Sequence, residues 1–150
     1  MQENAINNGF GASLKRWMAL DVGSKTIGVA VTDPLKVTVR PLKTLIRDNL
    51  DMDTEIICQL IEEQQIERLV VGMPRHLGGQ RSTTLNLIEP LVNRLEQALE
   101  IPIEPAEERL STKEAERLMA EAGLAVAERR KRRNEFAAAV ILQWYLEESQ

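Results

Sequence analysis

The chain has 150 residues, a net charge of −4 near neutral pH, 43% hydrophobic residues and 28% charged ones. Those values fit one ordinary globular domain with enough chain to bury a core, and they exclude collagen-like and low-complexity classes. No apolar run is long enough to span a bilayer, and a lone cysteine, Cys58, permits no internal disulfide. A reducing, cytoplasmic compartment is expected.

The first 13 residues, MQENAINNGFGAS, are polar and lack the apolar core of a secretory signal. They read as a disordered tail (1–13) ahead of a single domain over 14–150. Residues 17–33, WMALDVGSKTIGVAVTD, then hold two apolar runs around Gly23, Ser24 and Lys25, the pattern of two adjacent strands joined by a tight turn. The first run ends on Asp21. A carboxylate at the end of a buried strand is costly to desolvate unless a metal, a cation or a set of backbone donors holds it. Asp33-Pro34 marks a turn. Val37, Val39, Leu42 and Leu45 suggest a third strand, which Pro41 places at an edge or a bulge.

Asp51 or Asp53 is expected to cap a helix running to about Gln65, with Met52, Ile56, Leu60 and Ile61 on one face and Cys58 as a packing residue. Residues 66–73, IERLVVGM, form a short apolar run stopped by Gly72 and Pro74. The preceding helix provides the crossover that makes this a parallel strand. The polar, glycine-rich segment 74–82 follows that strand's C-terminal end, where open α/β sheets bind ligands. His76, the only histidine, has no companions at metal-ligand spacing and reads as an exposed loop residue.

A helix starting at Thr83 or Thr84 carries Leu85, Ile88, Leu91, Val92, Leu95 and Leu99, with Pro90 either kinking it or marking its first turn. Residues 101–106 form a short strand near a sheet edge, because two of the six are prolines. That strand leads to a second acid, Glu108. Ser111 and Glu114 have the spacing of a capping box, and the helix they open turns Ala115, Leu118 and Met119 inward and ends near Gly123. Arg129, Arg130, Lys131, Arg132 and Arg133 form an unbroken basic run, read as a loop. The last helix then starts at about Asn134 and presents Phe136, Val140, Ile141, Trp144 and Tyr145.

With the Asp21 strand central, the strand bearing Glu108 pairs beside it and brings two carboxylates to one end of the sheet. Two such groups repel unless a divalent cation lies between them. Mg²⁺ or Mn²⁺ takes oxygen ligands and keeps positions open for water or phosphate. A local cationic run on an acidic protein can grip phosphate. The combination favours metal-assisted phosphodiester hydrolysis.

Four segments occur in the order and spacing of one family: ALDVGSKTIGVAVTDPL, LVVGMPRHLGG, EERLST and AAAVILQWYLE. On them the chain resembles the YqgF family of ribonuclease H-like proteins, described as Holliday-junction resolvases and pre-16S rRNA nucleases. The likeness covers about residues 16–147. It implies an α/β fold, a ribonuclease H-like mixed sheet of about five strands flanked by helices, with Mg²⁺ or Mn²⁺ as cofactor. Its partners would be structured RNA, pre-16S rRNA or branched DNA, with ribosomal precursor particles, as a monomer or homodimer away from any membrane.

Carried over by position, Asp21 matches the family's first-strand aspartate and Glu108 the glutamate of its DERLS-like motif, with Glu107 in place of the preceding aspartate. Asn134 stands where the family has a third acid. The implied catalytic set is Asp21, Glu108 and Asn134, with metal held by Asp21, Glu108 and either Asn134 or Glu135. Asn134 is equally a good helix N-cap. Lys25, Arg75, Arg109 and the five basic residues 129–133 are the expected nucleic-acid contacts. Two readings follow: a metal-dependent nuclease, and a non-catalytic nucleic-acid-binding protein of the same fold in which Asn134 has weakened the metal chemistry. The D-x-G-x-K pattern also opens actin-like kinases, whose two lobes need more chain than this.

Overall fold

Strict alternation along the strands sets the architecture, since successive side chains of a strand point to opposite faces. The computed structural model describes residues 14–74, 83–108 and 111–149. In it β1 (Arg16–Val22), β2 (Thr26–Thr32), β3 (Val39–Ile46), β4 (Ile66–Met73) and β5 (Ile103–Glu107) form one sheet in the order β3-β2-β1-β4-β5. The hairpin makes β1 and β2 antiparallel, and β3 adds antiparallel to β2. Strands β4 and β5 each follow a helix and pair parallel, β4 to β1 and β5 to β4. Both proline-bearing strands are edges, and the ladder of β3 shifts register near Pro41.

One face of the sheet presents Met18, Leu20, Val22, Ile27, Val29, Val31, Leu69 and Val71, all buried. Helices α1 (Leu50–Glu63) and α2 (Thr83–Ala98) cover it through Ile57, Leu60 and Ile61 and through Ile88, Leu91 and Leu95. The opposite face presents the small residues Ala19 and Ala30 with Val70, and α4 (Val126–Glu148) lies on it through Ala138, Ile141 and Leu142. Helix α3 (Ser111–Glu121) packs on α4, with Ala115 against Ala137 and Val140. It ends in a Schellman-type cap: Gly123 has φ +79°, its N–H reaches the Ala120 carbonyl, and the Leu124 N–H reaches that of Met119. Mixed sheet and flanking helices together make a ribonuclease H-like α/β fold.

Several expectations need correction. The basic run 129–133 is helical, because α4 begins at Val126. Asn134 is therefore inside a helix and does not cap one. Five straight-chain cationic residues have good helix propensity, and nothing in the run breaks a helix. Helix α1 is capped by Asn49, whose side chain accepts from the Met52 N–H. Asp53 is instead 4% exposed, and Met52 points outward. Pro90 lies well inside α2, not at its first turn. Ser111 Oγ donates to the Glu108 carbonyl, and Glu114 is taken by Arg117. Gly72 is a residue of β4 and does not stop it. Strand β5 does not adjoin β1, because β4 lies between them.

Candidate active site

Asp21 falls on the face of the sheet covered by α4, since its neighbours Leu20 and Val22 point to the other face. It stands near the C-terminal end of β1, the end at which β4 and β5 also finish. Glu108 directly follows β5 and extends its ladder, its N–H bonded to the Met73 carbonyl at 3.1 Å. The N–H and Oγ of Ser111 both bond the Glu108 carbonyl, at 3.2 and 2.9 Å. The chain is thus held on both sides of the acid.

Two glycines let the separated strands meet. Gly28 on β2 is the direct partner of Asp21, and a Cβ there would lie 1.9 Å from the Asn134 carbonyl oxygen. The backbone of α4 can settle on the sheet only because Gly28 has no side chain. Gly72 on β4 follows Val71, the partner of Leu20, and so stands between Asp21 and Glu108. A Cβ at Gly72 would come 3.2 Å from a Glu108 carboxylate oxygen. The Glu108 side chain crosses β4 over this glycine to reach Asp21. Both residues lie inside apolar strand runs, where a glycine signals a close approach.

The two carboxyls hydrogen-bond each other in a desolvated site. Burial raises the pKa of Asp21 above the ordinary carboxylate value, partly offset by the bond from Glu108. Burial, that bond and the charge of Asp21 together push Glu108 up to about 8. Two acids held this close in a desolvated site resist ionising together. Asn134 comes to the same place from α4: its Nδ2 donates to Thr26 Oγ1 at 2.7 Å and is 3.2 Å from where a Gly23 Cβ would be. Among the described residues no three His, Cys, Asp or Glu side chains cluster as a metal site. The donor set is two carboxylates and one amide, all oxygen ligands of the kind hard cations prefer. The residues present fit such a cation.

Glu135 is turned away from Asp21. It is buried, accepts from Thr44 Oγ1 on β3 at 3.0 Å and pairs with Arg132 at 2.9 Å. The basic run divides in the same way. Arg129 bonds the Leu124 carbonyl, Arg132 holds Glu135 and lies over the Phe136 ring, and Arg133 pairs with Glu116 on α3. Arg130 and Lys131 are exposed. They precede Asn134 by four and three residues, so they occupy its stripe one helical turn outward. Lys25 is exposed in the turn after Asp21. Arg75, His76 and Arg109 lie outside the described residues, as do residues 1–13.

A family model described as RuvX, Holliday junction resolvase, matches residues 15–148. Among curated proteins, one from Desulforamulus reducens is 39% identical over 132 residues, covering 88% of this chain and 96% of its own. One from Symbiobacterium thermophilum is 41% identical over 128 residues, covering 85% and 89%. Both carry the name "Putative pre-16S rRNA nuclease". Of the solved structures, Thermus thermophilus RuvC in complex with a Holliday junction substrate superposes with TM-score 0.59 at 13% identity, over 89% of this chain and 96% of that one. Fowlpox virus resolvase with its Holliday junction DNA gives 0.57 at 9% identity, over 89% and 98%. These two likenesses concern the fold alone. The family model, which spans nearly all of the described sequence, and the close curated relatives agree with the resemblance carried by the four motifs: the chain belongs to the RuvX family, whose description is Holliday junction resolvase.

Proposed function

We propose that the protein is a divalent-metal-dependent nuclease that cleaves phosphodiester bonds in structured nucleic acid, with the 5′ end of pre-16S rRNA as its substrate during ribosome assembly in the cytoplasm. One observation carries the reading. Asp21 and Glu108 are brought together from non-adjacent strands across Gly72, and burial makes their joint ionisation unfavourable. A fold gains no stability from such a pair, so a ligand that needs it is the economical explanation. Mg²⁺ or Mn²⁺ held by Asp21, Glu108 and the Asn134 amide would activate water and offset charge developing on phosphate. Arg130, Lys131 and Lys25 supply phosphate contacts around this end of the sheet, which position a strand without reading its sequence. Arg75 and Arg109 are proposed to join them.

The test is cleavage of precursor rRNA and of a branched DNA with Mn²⁺, by wild type and by the Asp21→Asn, Glu108→Gln and Asn134→Asp variants. Loss of cleavage in the first two supports the reading, and undiminished cleavage by Asp21→Asn would overturn it. Asn134 favours a second reading, a nucleic-acid-binding protein without catalysis, because charge count strongly governs affinity for hard cations. An inactive wild type beside an active Asn134→Asp variant would select it.

A further inference from the structure

The hairpin turn that follows Asp21 is held from outside the hairpin. Arg47, just beyond β3, donates its backbone N–H to the Lys25 carbonyl at 2.9 Å and its guanidinium Nη1 to the Gly23 carbonyl at 3.0 Å. The same guanidinium gives Nε to an Asp53 carboxylate oxygen at 3.2 Å, and the other Asp53 oxygen accepts from the Asp48 N–H at 2.9 Å. Both charged side chains are removed from water, with 11% and 4% of their area exposed. Within the turn, Gly23 N–H bonds the Thr26 carbonyl at 2.8 Å, and Thr26 Oγ1 receives Asn134. One hydrogen-bonded path thus runs from α1 through Arg47 and the turn to Asn134 on α4.

A buried ion pair is weak evidence of stabilisation, because desolvating both charges offsets much of their attraction. The geometry of this one is what matters. Two donors of one planar group fix the angle between an acid on α1 and a carbonyl two residues from Asp21. We propose that Arg47, oriented by Asp53, is a positioning residue: it holds the 21–26 turn so that Asp21 and Asn134 face each other, and it thereby sets the affinity for a divalent cation. The inference rests on the metal site proposed above.

Mn²⁺ binding measured by titration calorimetry tests it, together with amide exchange at Gly23 and Arg47. Arg47→Met should weaken Mn²⁺ binding by about tenfold or more, the usual loss when a group that orients a ligand is removed. Both amides should exchange faster in that variant. Asp53→Asn should follow in the same direction. Arg47→Lys keeps a charge for Asp53 but cannot span both acceptors, so it should fold and bind Mn²⁺ with intermediate affinity. Leu60→Ala, which destabilises the core beneath α1, should leave Mn²⁺ affinity unchanged and so separates positioning from general stability. Wild-type affinity in Arg47→Met and Arg47→Lys, beside binding lost in Asp21→Asn, overturns this inference alone. Binding retained in Asp21→Asn removes the site and the inference together.

Discussion

Leu20 and Asp21 are adjacent on β1, and they belong to two different chemistries. The face that Leu20 joins is built of large aliphatic side chains from β1, β2 and β4, met by the isoleucines and leucines of α1 and α2. Volume sets the distance there, and the helices stand off by the length of the side chains. The face that Asp21 joins carries alanines and glycines beside Val70, so the α4 backbone comes down onto β2 at Gly28. That close approach admits Asn134 from above, while Glu108 arrives from across β4 at Gly72. The large face stabilises the fold by burying area. The small face gives some of that up and gains a gap in which polar groups from three elements can meet.

The sharpest way to break this contrast is to put a side chain on the small face. Gly28→Ala should destabilise the protein by about 3 kcal/mol, at the upper end for overpacking, since the new Cβ meets helix backbone that cannot rotate away. Chemical denaturation would measure it, and a change within about 0.5 kcal/mol would mean α4 is not seated on Gly28.

On the other face, Leu20→Ala should cost about 3 kcal/mol through a cavity, and the folded protein should still bind Mn²⁺ as wild type does. Asp21→Asn, one residue away, should do the reverse. It relieves a desolvated carboxyl pair, so stability in the absence of metal should hold or rise, and metal protection in a thermal melt should disappear.

The acid pair also predicts a pH dependence that the large face cannot have. Glu108 has an ordinary value of 4.5 and titrates at about 8 in the folded protein. Between those values the folded state binds more protons than the unfolded one, so stability falls as pH rises. Without metal, the melting temperature should decline from about pH 4.5 towards about pH 8, and Asp21→Asn should flatten that slope. Saturating Mn²⁺ should reverse much of the decline at the alkaline end.

The smallest effects are expected at the mouth of the site. Replacing Arg130 and Lys131 by alanine should leave the melting temperature nearly unchanged, because both are exposed. It should lower the salt dependence of nucleic-acid binding by about two in log-log slope. Arg132→Ala should differ, since it strips Glu135 of its ion partner and should therefore cost stability as well.

Much of this was legible in the chain itself. The two apolar runs around the Gly23–Lys25 turn predict the hairpin, Pro41 the edge or bulge, and the helix between β3 and β4 the parallel pairing; each is found. Asp21 and Glu108 are likewise identifiable as strand-end acids. Other features are misread for physical reasons. A run of arginines says that a segment is solvated but leaves open whether it is helical, and so residues 129–133 read as a loop. Asp53 has the residue type and position of a cap, and its burial depends on Arg47 arriving from β3.

The sequence by itself determined the five strands, most of each helix, the family and the presence of two acids at strand ends, because these depend on local periodicity and on residues of fixed type in fixed order. Only the tertiary structure decided that β4 separates the acid-bearing strands, that Gly72 lets Glu108 reach across it and that Gly28 lets α4 settle on β2. It also decided that Glu135 faces Thr44 while Asn134 faces Thr26. A glycine's meaning lies in what approaches it, and the direction of a helical side chain lies in which strand the helix crosses. Both are relations between segments far apart in the chain, fixed when the small face of the sheet and α4 pack together.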